Sequence, residues 1–407
     1  MKTQTMKNPS FIQNRDSYIQ RIEPFMRKPI IKVMTGQRRV GKSYLLLQLI
    51  QKIKKEDPQA HIIYINREDL QFDFMTSAKE LNEYILSKHK SGCLNYIFID
   101  EIQDILEFEK ALRSLLLDED NDIYITGSNA KMLSGELATY LSGRYVEFTI
   151  HSLSYPEFLQ FHKFADTDKS YDLYTKYGGL PYLIHLKLED EIVYEYLKSI
   201  YSTIVYRDVV SRYSVRNTEF LEKLLQFLAD NIGSVFSAKS ISDYLKSQKT
   251  KLGVNQILTY VDYFSTAYII HKVNRYDIVG KRVFEIGDKY YFENLGIRNT
   301  IVGFKPQDRA KILENVVYNH LLYKGYAVKV GALGGQEVDF VCEKGGEKLY
   351  VQVALRLDEE ATLKREFGNL LKIDDNYPKI VITQDKFFGN SYDGVKHLYI
   401  RDFLMAE

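Results

Sequence analysis

The chain has no tryptophan, two cysteines in 407 residues, few prolines and almost no net charge. Each scarcity excludes something. Cys93 and Cys342 share no paired spacing, so a disulfide framework and a zinc knuckle are both set aside, and a reducing cytoplasm is the expected setting. Lysine and arginine number 55 against 54 acidic residues, a formal charge of +1. No global basic field draws the chain to nucleic acid, and any such surface must be local. Apolar runs such as Tyr44–Leu47 are far shorter than the ~20 residues a membrane span needs. The N-terminus is polar and carries no apolar signal core, so no membrane partner is expected. Internal repeats and Pro/Gly/Ser linkers are missing too, and domain boundaries must be read from changes of pattern.

What is present reads as globular: 45% of residues are apolar and 27% charged. The length predicts two to four domains. Five β-rich runs, Ile30–Met34, His61–Ile65, Tyr96–Ile99, Ile123–Thr126 and Tyr145–Ile150, alternate with helical stretches at Lys42–Lys55, Ser77–Lys88 and Phe108–Leu117. That alternation predicts an α/β domain over residues 1–153, with a parallel sheet covered on both faces. A helical segment follows over 154–216, broken by Gly178-Gly179-Leu180-Pro181. Helices at Glu219–Asn231, Ala238–Gln248 and Val254–Ser265 then precede a hairpin of Tyr268–Tyr276 and Lys289–Phe292, with Val283–Ile286 as a candidate extra strand. This order is that of a winged helix-turn-helix, over 217–300. From 301 to 407 the pattern predicts a second α/β domain: helix Ala310–Lys324, strands Ala327–Val330, Glu337–Glu343 and Leu349–Ala354, helix Thr362–Leu371 and strand Lys379–Thr383.

The segment Gly36-Gln37-Arg38-Arg39-Val40-Gly41-Lys42-Ser43 fits G-x-x-x-x-G-K-[ST] at every fixed position, between a strand and a helix that begins with Lys42 and Tyr44. Gly36 and Gly41 let the backbone close its N–H groups around phosphate oxygens. The helix aims its N-terminal dipole at the same anion. Lys42 supplies an ammonium to the β- and γ-phosphates, and the Ser43 hydroxyl a ligand for Mg²⁺. The strand Tyr96–Ile99 ends in Asp100 and Glu101, where ligands of open α/β sheets sit. Asp100 is the candidate for the Mg²⁺ shell, and Glu101 for orienting or deprotonating the attacking water. The strand Ile123–Thr126 ends in Gly127-Ser128-Asn129, whose polar side chains are candidates for reaching the γ-phosphate or that water. ATP and Mg²⁺ are the expected cofactors, and ATP hydrolysis the expected reaction.

These stretches, with GQRRVGKSYLLLQLI, IFIDEIQDI, ITGSNAKMLSGELATYLSGRYVEFTIHSLSYPEF, YGGLPYLI and GGQEVDFVCEKGGEKLYVQVAL, resemble the prokaryotic AAA-type ATPases whose C-terminal half carries a winged helix and a restriction-endonuclease-like domain. The resemblance spans about residue 30 to residue 355. It implies adenine rather than guanine, in keeping with the lack of a guanine-reading N-K-x-D segment. It implies that Arg144, in the S-G-R segment, contacts nucleotide in cis or from a neighbouring subunit, and that a homo-oligomer is a candidate state. It also implies a nuclease-like order of Glu314 on a helix, Asp339 on a strand and Gln352-Val353-Ala354 on the next. Two departures stand out: Gln352 replaces a carboxylate, and Ala354 replaces the lysine that supports the attacking water. Lys364, on the following helix, is the candidate substitute cation, and a degenerate site that binds without cutting is expected.

For the winged helix, Lys239, Lys246, Lys249 and Lys251 crowd the expected recognition helix against Asp243, with Lys272, Arg275, Lys281 and Arg282 on the hairpin. Such a patch could neutralise phosphates while Asn255 or Gln256 reads a base edge. Three roles fit: a nucleotide-driven switch coupled to partner- or DNA-binding modules, a DNA-processing enzyme, and a protein-interaction ATPase of signalling or defence type.

Overall fold

Val33, Ile65, Ile97, Ile99, Ile123 and Ile125 are all buried, and they lie on four of five short strands, which cannot bury two apolar faces without helices on both sides. These are β1 (Ile31–Thr35), β2 (His61–Asn66), β3 (Asn95–Asp100), β4 (Asn121–Gly127) and β5 (Tyr145–Thr149). All pairings among them are parallel, in the order β2-β3-β4-β1-β5. Helices Lys42–Glu56, Ala78–Lys88 and Phe108–Leu115 form the crossovers, and Leu81, Ile85 and Leu112 join the core. Ser77 and Glu80 close a capping box that starts the second helix. The expected parallel α/β sheet is what forms. β4 lies between β1 and β3, so residues at the ends of all three strands meet along one sheet edge.

The computed structural model describes residues 13–130, 140–247, 252–280, 287–357, 360–385 and 390–406, and its chain divides into two units, Met1–Ile150 and His151–Glu407.

The second unit begins with helices Tyr155–His162, Asp168–Tyr177 and Asp190–Thr203, the last continued by a π-helical turn over Ile204–Ser211. Helices Thr218–Asp230, Ala238–Ser247 and Val254–Thr266 follow, with β6 (Val235–Phe236) between the first two. Then come β7 (Ile270–Val273), β8 (Arg275–Asp277) and β9 (Asp288–Phe292). The expected single strand Tyr268–Tyr276 is two strands. β7 stays in a small sheet ordered β6-β9-β7, whereas β8 departs to pair with a later strand. The cause is Tyr276, whose ring buries among Val338, Val341 and Tyr350 of the larger sheet. The candidate strand Val283–Ile286 and the residues Lys249, Lys251, Lys281 and Arg282 lie outside the described residues.

Helices Leu295–Val302 and Arg309–Tyr323 lead into β10 (Ala327–Leu333), β11 (Gln336–Lys344), β12 (Glu347–Ala354), helix Glu360–Leu371, β13 (Lys379–Thr383), β14 (Ser391–Tyr392), β15 (Val395–Tyr399) and helix Ile400–Met405. They build a seven-stranded mixed sheet ordered β14-β15-β13-β12-β11-β10-β8. Two hairpins turn on Gly334-Gly335 and Gly345-Gly346, whose positive φ angles (55°, 85° and 58°, 85°) suit two-residue hairpin turns. No helix among the described residues is long and apolar enough to cross a membrane.

Candidate nucleotide site

β1 ends at Thr35 and helix Lys42–Glu56 begins seven residues on, so Gly36 to Gly41 form the connection. Gly36 (φ 141°) lies against the strand-end backbone of Ile150, and a Cβ there would collide with the Ile150 carbonyl oxygen. Gly41 sits in the left-handed region (φ 100°, ψ 21°) as the N-cap and offers no side chain to the helix's first N–H groups. A helix N-terminus of this kind suits an anion. The Lys42 ammonium donates to the carbonyls of Gly36 (2.9 Å) and Gln37 (3.1 Å) and lies 3.8 Å from Glu101 Oε1. It is buried at the mouth of its own loop, held by oxygens that phosphate oxygens could replace.

The remaining loop residues divide by burial. Gln37 and Val40 are buried, while Arg38 is buried and pairs with Glu68 at 3.2 Å. Arg39 is exposed with φ 72°, and Tyr44 is exposed on the first helical turn. From outside the motif, buried Arg15 donates through Nη1 to the Val40 carbonyl (3.1 Å) and through its backbone N–H to Gln48 (3.1 Å). Nothing in the pattern around Arg15 pointed to this support.

Asp100 ends β3, and its carboxylate accepts from the hydroxyls of Ser43 and Thr126. Burial pushes its pKa above the ordinary carboxylate range, and the two hydroxyls and Lys42 offset this only in part. A divalent cation beside it would reverse the shift. Glu101 takes a left-handed conformation (φ 56°, ψ 52°) that costs a non-glycine residue energy. Its backbone N–H donates to Thr126 Oγ1 (2.9 Å), and its carboxylate accepts from Ser128 (3.2 Å) and from the Gln103 amide. Burial raises its pKa, but Lys42, then Gln103, Arg38 and Ser128, more than offset it, and the net shift is downward. Glu101 is therefore ionised at neutral pH. Thr126, on the intervening strand β4, bonds both Asp100 and the Glu101 backbone. It was not singled out in the sequence, where it reads as an ordinary strand residue. Asn129 follows the end of β4 beside Ser128.

Arg144 does not join this group. It is exposed and immediately precedes β5, and its carbonyl accepts from Ile31 N at the start of β1. The loop follows the other end of β1, about 15 Å away for a five-residue strand. The cis contact expected for Arg144 is thus excluded by the parallel register of β1 and β5.

In the second unit, Asp339, Gln352 and Glu314 do converge. Asp339 N donates to Gln352 Oε1 (3.3 Å), Asp339 Oδ2 accepts from Val353 N (2.7 Å), and Gln352 Nε2 donates to Glu366 (2.9 Å). Lys364 does not reach back: it is exposed and pairs with Glu360 one turn earlier at 2.6 Å. The buried cation is Lys289 of β9, with Glu314 at 3.0 Å and Glu337 at 2.6 Å. No motif marked Lys289, because it comes from a different predicted module. Burial and the Glu314 charge hold Asp339 well above the ordinary carboxylate range despite Lys289. On the helix Val254–Thr266, Asn255 and Gln256 are exposed on the first turn, and Gln256 donates to Tyr260 OH (3.2 Å). Lys246 is paired with Asp243 and Lys272 with Asp288, each at 3.0 Å. Arg275 belongs to β8, in the larger sheet rather than the expected hairpin.

The profile of the family described as "AAA domain" matches residues 28–159, and that of a "Domain of unknown function (DUF8612)" matches residues 168–308. An uncharacterized protein of Haemophilus influenzae is 38% identical over 400 residues, covering 96% of this chain and 98% of that protein. The uncharacterized protein MJ1544 of Methanocaldococcus jannaschii is 33% identical over 392 residues, covering 90% and 86%. Among solved structures, the Walker-type ATPase paby2304 of Pyrococcus abyssi superposes with a TM-score of 0.50 at 15% identity, covering 72% of this chain and 96% of that one. This last likeness is one of fold.

Proposed function

We propose that this chain, which belongs to one family with the Haemophilus influenzae and Methanocaldococcus jannaschii proteins and carries an AAA domain, is a Mg²⁺-dependent ATPase that acts as a nucleotide-driven switch. One observation carries the reading: Lys42, Ser43, Asp100 and Glu101 meet at one sheet edge, with Thr126 tying the two acids together. The loop amides and Lys42 would hold the triphosphate, and Ser43 and Asp100 the Mg²⁺, which supplies neutralisation of phosphate charge. Glu101 is ionised and held by Gln103 and Ser128, so its carboxylate can accept a proton from water or fix its orientation. Ser128 and Asn129 are candidates to position the same water. Purified protein should hydrolyse ATP with Mg²⁺. Lys42→Ala should abolish nucleotide binding or weaken it sharply, since the buried ammonium beside Glu101 is lost; calorimetry showing unchanged ATP affinity refutes the site.

The switch would act through the C-terminal half, whose partner is DNA or protein. The exposed first turn of helix Val254–Thr266 supports DNA contact by Asn255 and Gln256, whereas the pairing of Lys246 and Lys272 reduces the charge available for it. Binding to duplex DNA that fades with salt would support the nucleic-acid reading. Cleavage is not part of the proposal. Lys289 fills the space between Glu314 and Glu337 as a built-in cation, and neither Gln352 nor Ala354 supplies what a hydrolytic centre needs. The full chain should leave supercoiled DNA intact with Mg²⁺ or Mn²⁺. Metal-dependent nicking that disappears in Asp339→Ala would reverse this conclusion.

A further inference from the structure

The second unit opens with His151, and that residue does not follow the apolar pattern around it. Its Nδ1 lies 2.9 Å from Glu293 Oε2, and His271 Nε2, from β7, lies 2.7 Å from the same oxygen. One nitrogen from each imidazole and one carboxylate oxygen thus lie within 4.8 Å of one another. The Glu293 side chain is 3% exposed, and its other oxygen accepts from the backbone N–H of Ser152 at 2.7 Å. Asn294 donates to the Ser152 hydroxyl at 3.1 Å, so the backbone that carries the carboxylate is itself fixed.

We propose that His151, His271 and Glu293 form a binding site for a divalent first-row transition metal, with zinc as the best match to two imidazoles and one carboxylate. Ligands about 2.1 Å from a tetrahedral ion lie about 3.4 Å apart, so the observed imidazole–carboxylate separations of 2.9 and 2.7 Å need to open by about 0.5 and about 0.7 Å. On binding, each imidazole would turn the lone pair of its ligating nitrogen to the ion and carry its proton on the other ring nitrogen. Two neutral imidazoles and one carboxylate leave a net positive charge, which an added water or hydroxide ligand can share.

A small cavity lies beside two of the three ligands, His151 and Glu293. A cavity of ≈ 20 Å³, room for about one water, is lined by His151, Ser152, Glu293, Asn294 and His320 together with Gly178 and Gly179. His320 is buried, and its Nδ1 has no hydrogen-bond partner among the described residues, an unmet polar demand in the wall of the same cavity. The two glycines explain how the wall closes. A Cβ on Gly178 would strike Asn294 Oδ1, and one on Gly179 would strike the Leu153 backbone. The Gly-Gly-Leu-Pro segment, which the nucleotide site leaves without a role, is the close-packed side of this pocket. The ligands come from three distant stretches of chain, so the bound ion would staple the start of the second unit to β7 and to the residue after β9.

The test uses the full chain, stripped with chelator and held in excess Mg²⁺ so that the Ser43–Asp100 site does not compete. One Zn²⁺ per chain should be retained on equilibrium dialysis, and Co²⁺ should give the visible ligand-field bands of a four- or five-coordinate ion. Zinc should raise the melting temperature of the wild-type chain. His151→Gln and His271→Gln keep a donor toward Glu293 but remove the imidazole; each should weaken Zn²⁺ binding by about 100-fold or more. His162→Gln, a histidine outside the cavity, should bind as the wild type does. Should either variant fail to fold, zinc-edge X-ray absorption of the wild-type chain decides the matter. Two imidazole scatterers support the site, and a shell without imidazole overturns it. Absence of stoichiometric Zn²⁺, or affinity unchanged in both variants, also overturns it.

Discussion

Glu101 holds a backbone conformation that a non-glycine residue adopts only under constraint, and the constraint is visible: Thr126 takes its N–H, while Gln103 and Ser128 take its carboxylate. Its pKa is held down chiefly by the Lys42 charge against the burial that would raise it. A carboxylate so held is ionised at neutral pH and fixed in orientation. Glu101→Gln keeps the shape and the Ser128 contact but cannot accept the proton. Single-turnover assays should show hydrolysis slowed by about 100-fold or more with ATP affinity nearly unchanged. Full turnover in that variant would move the base to another residue. At this scale the Gly36–Ser43 loop between strand and helix, and the acidic pair at the end of β3, were legible because glycine geometry and strand patterning demand those residue types at those spacings. Thr126, Arg15 and Lys289 were not, since each acts through a partner 25 or more residues away in sequence.

The helix Tyr155–His162 shows how an element carries a pH dependence. Ser154 and Glu157 form its capping box, and its last residue, His162, lies 4.4 Å from the Phe158 ring and 5.3 Å from Phe164 between ring centroids. Burial lowers the His162 pKa from 6.5 to about 4, and a deeper burial lowers that of His320 to about 3. Unfolded chains bind these protons near pH 6.5 whereas the folded chain does not, so the sign is fixed: stability is complete above pH 6.5 and declines as pH falls toward 4. Urea titrations across that window should show the decline, and His162→Phe should flatten part of it. A slope identical in the variant would assign the loss to other groups. Strand and helix periodicity located most elements to within a residue or two, because a half-buried helix or a doubly covered strand must repeat its apolar residues. The expected Tyr268–Tyr276 strand failed for a reason of the same kind. Alternation can say that residues are extended, but β8 leaves for the seven-stranded sheet because Tyr276 finds its burial there.

For the whole molecule, a switch requires that ATP bind one arrangement of the chain better than another. Hydrogen exchange compares those arrangements directly. ATP with Mg²⁺ should change amide protection within residues 151–407 as well as around Gly36 to Ser43. Protection confined to the loop would reduce the chain to a nucleotide binder without coupling. The amino-acid sequence by itself determined the Gly36–Ser43 loop between strand and helix, the Asp100–Glu101 strand end and the parallel α/β class, because each rests on local chemistry: glycine backbone, a lysine at fixed spacing, apolar runs ended by acids. Only the tertiary structure decided strand order, the placing of Arg144 at the strand end opposite the Gly36–Ser43 loop, the filling of the Asp339 cluster by Lys289, and the meeting of His151, His271 and Glu293. Those outcomes depend on contacts between residues far apart in the chain, set by which buried surfaces pack best together. No local pattern encodes them.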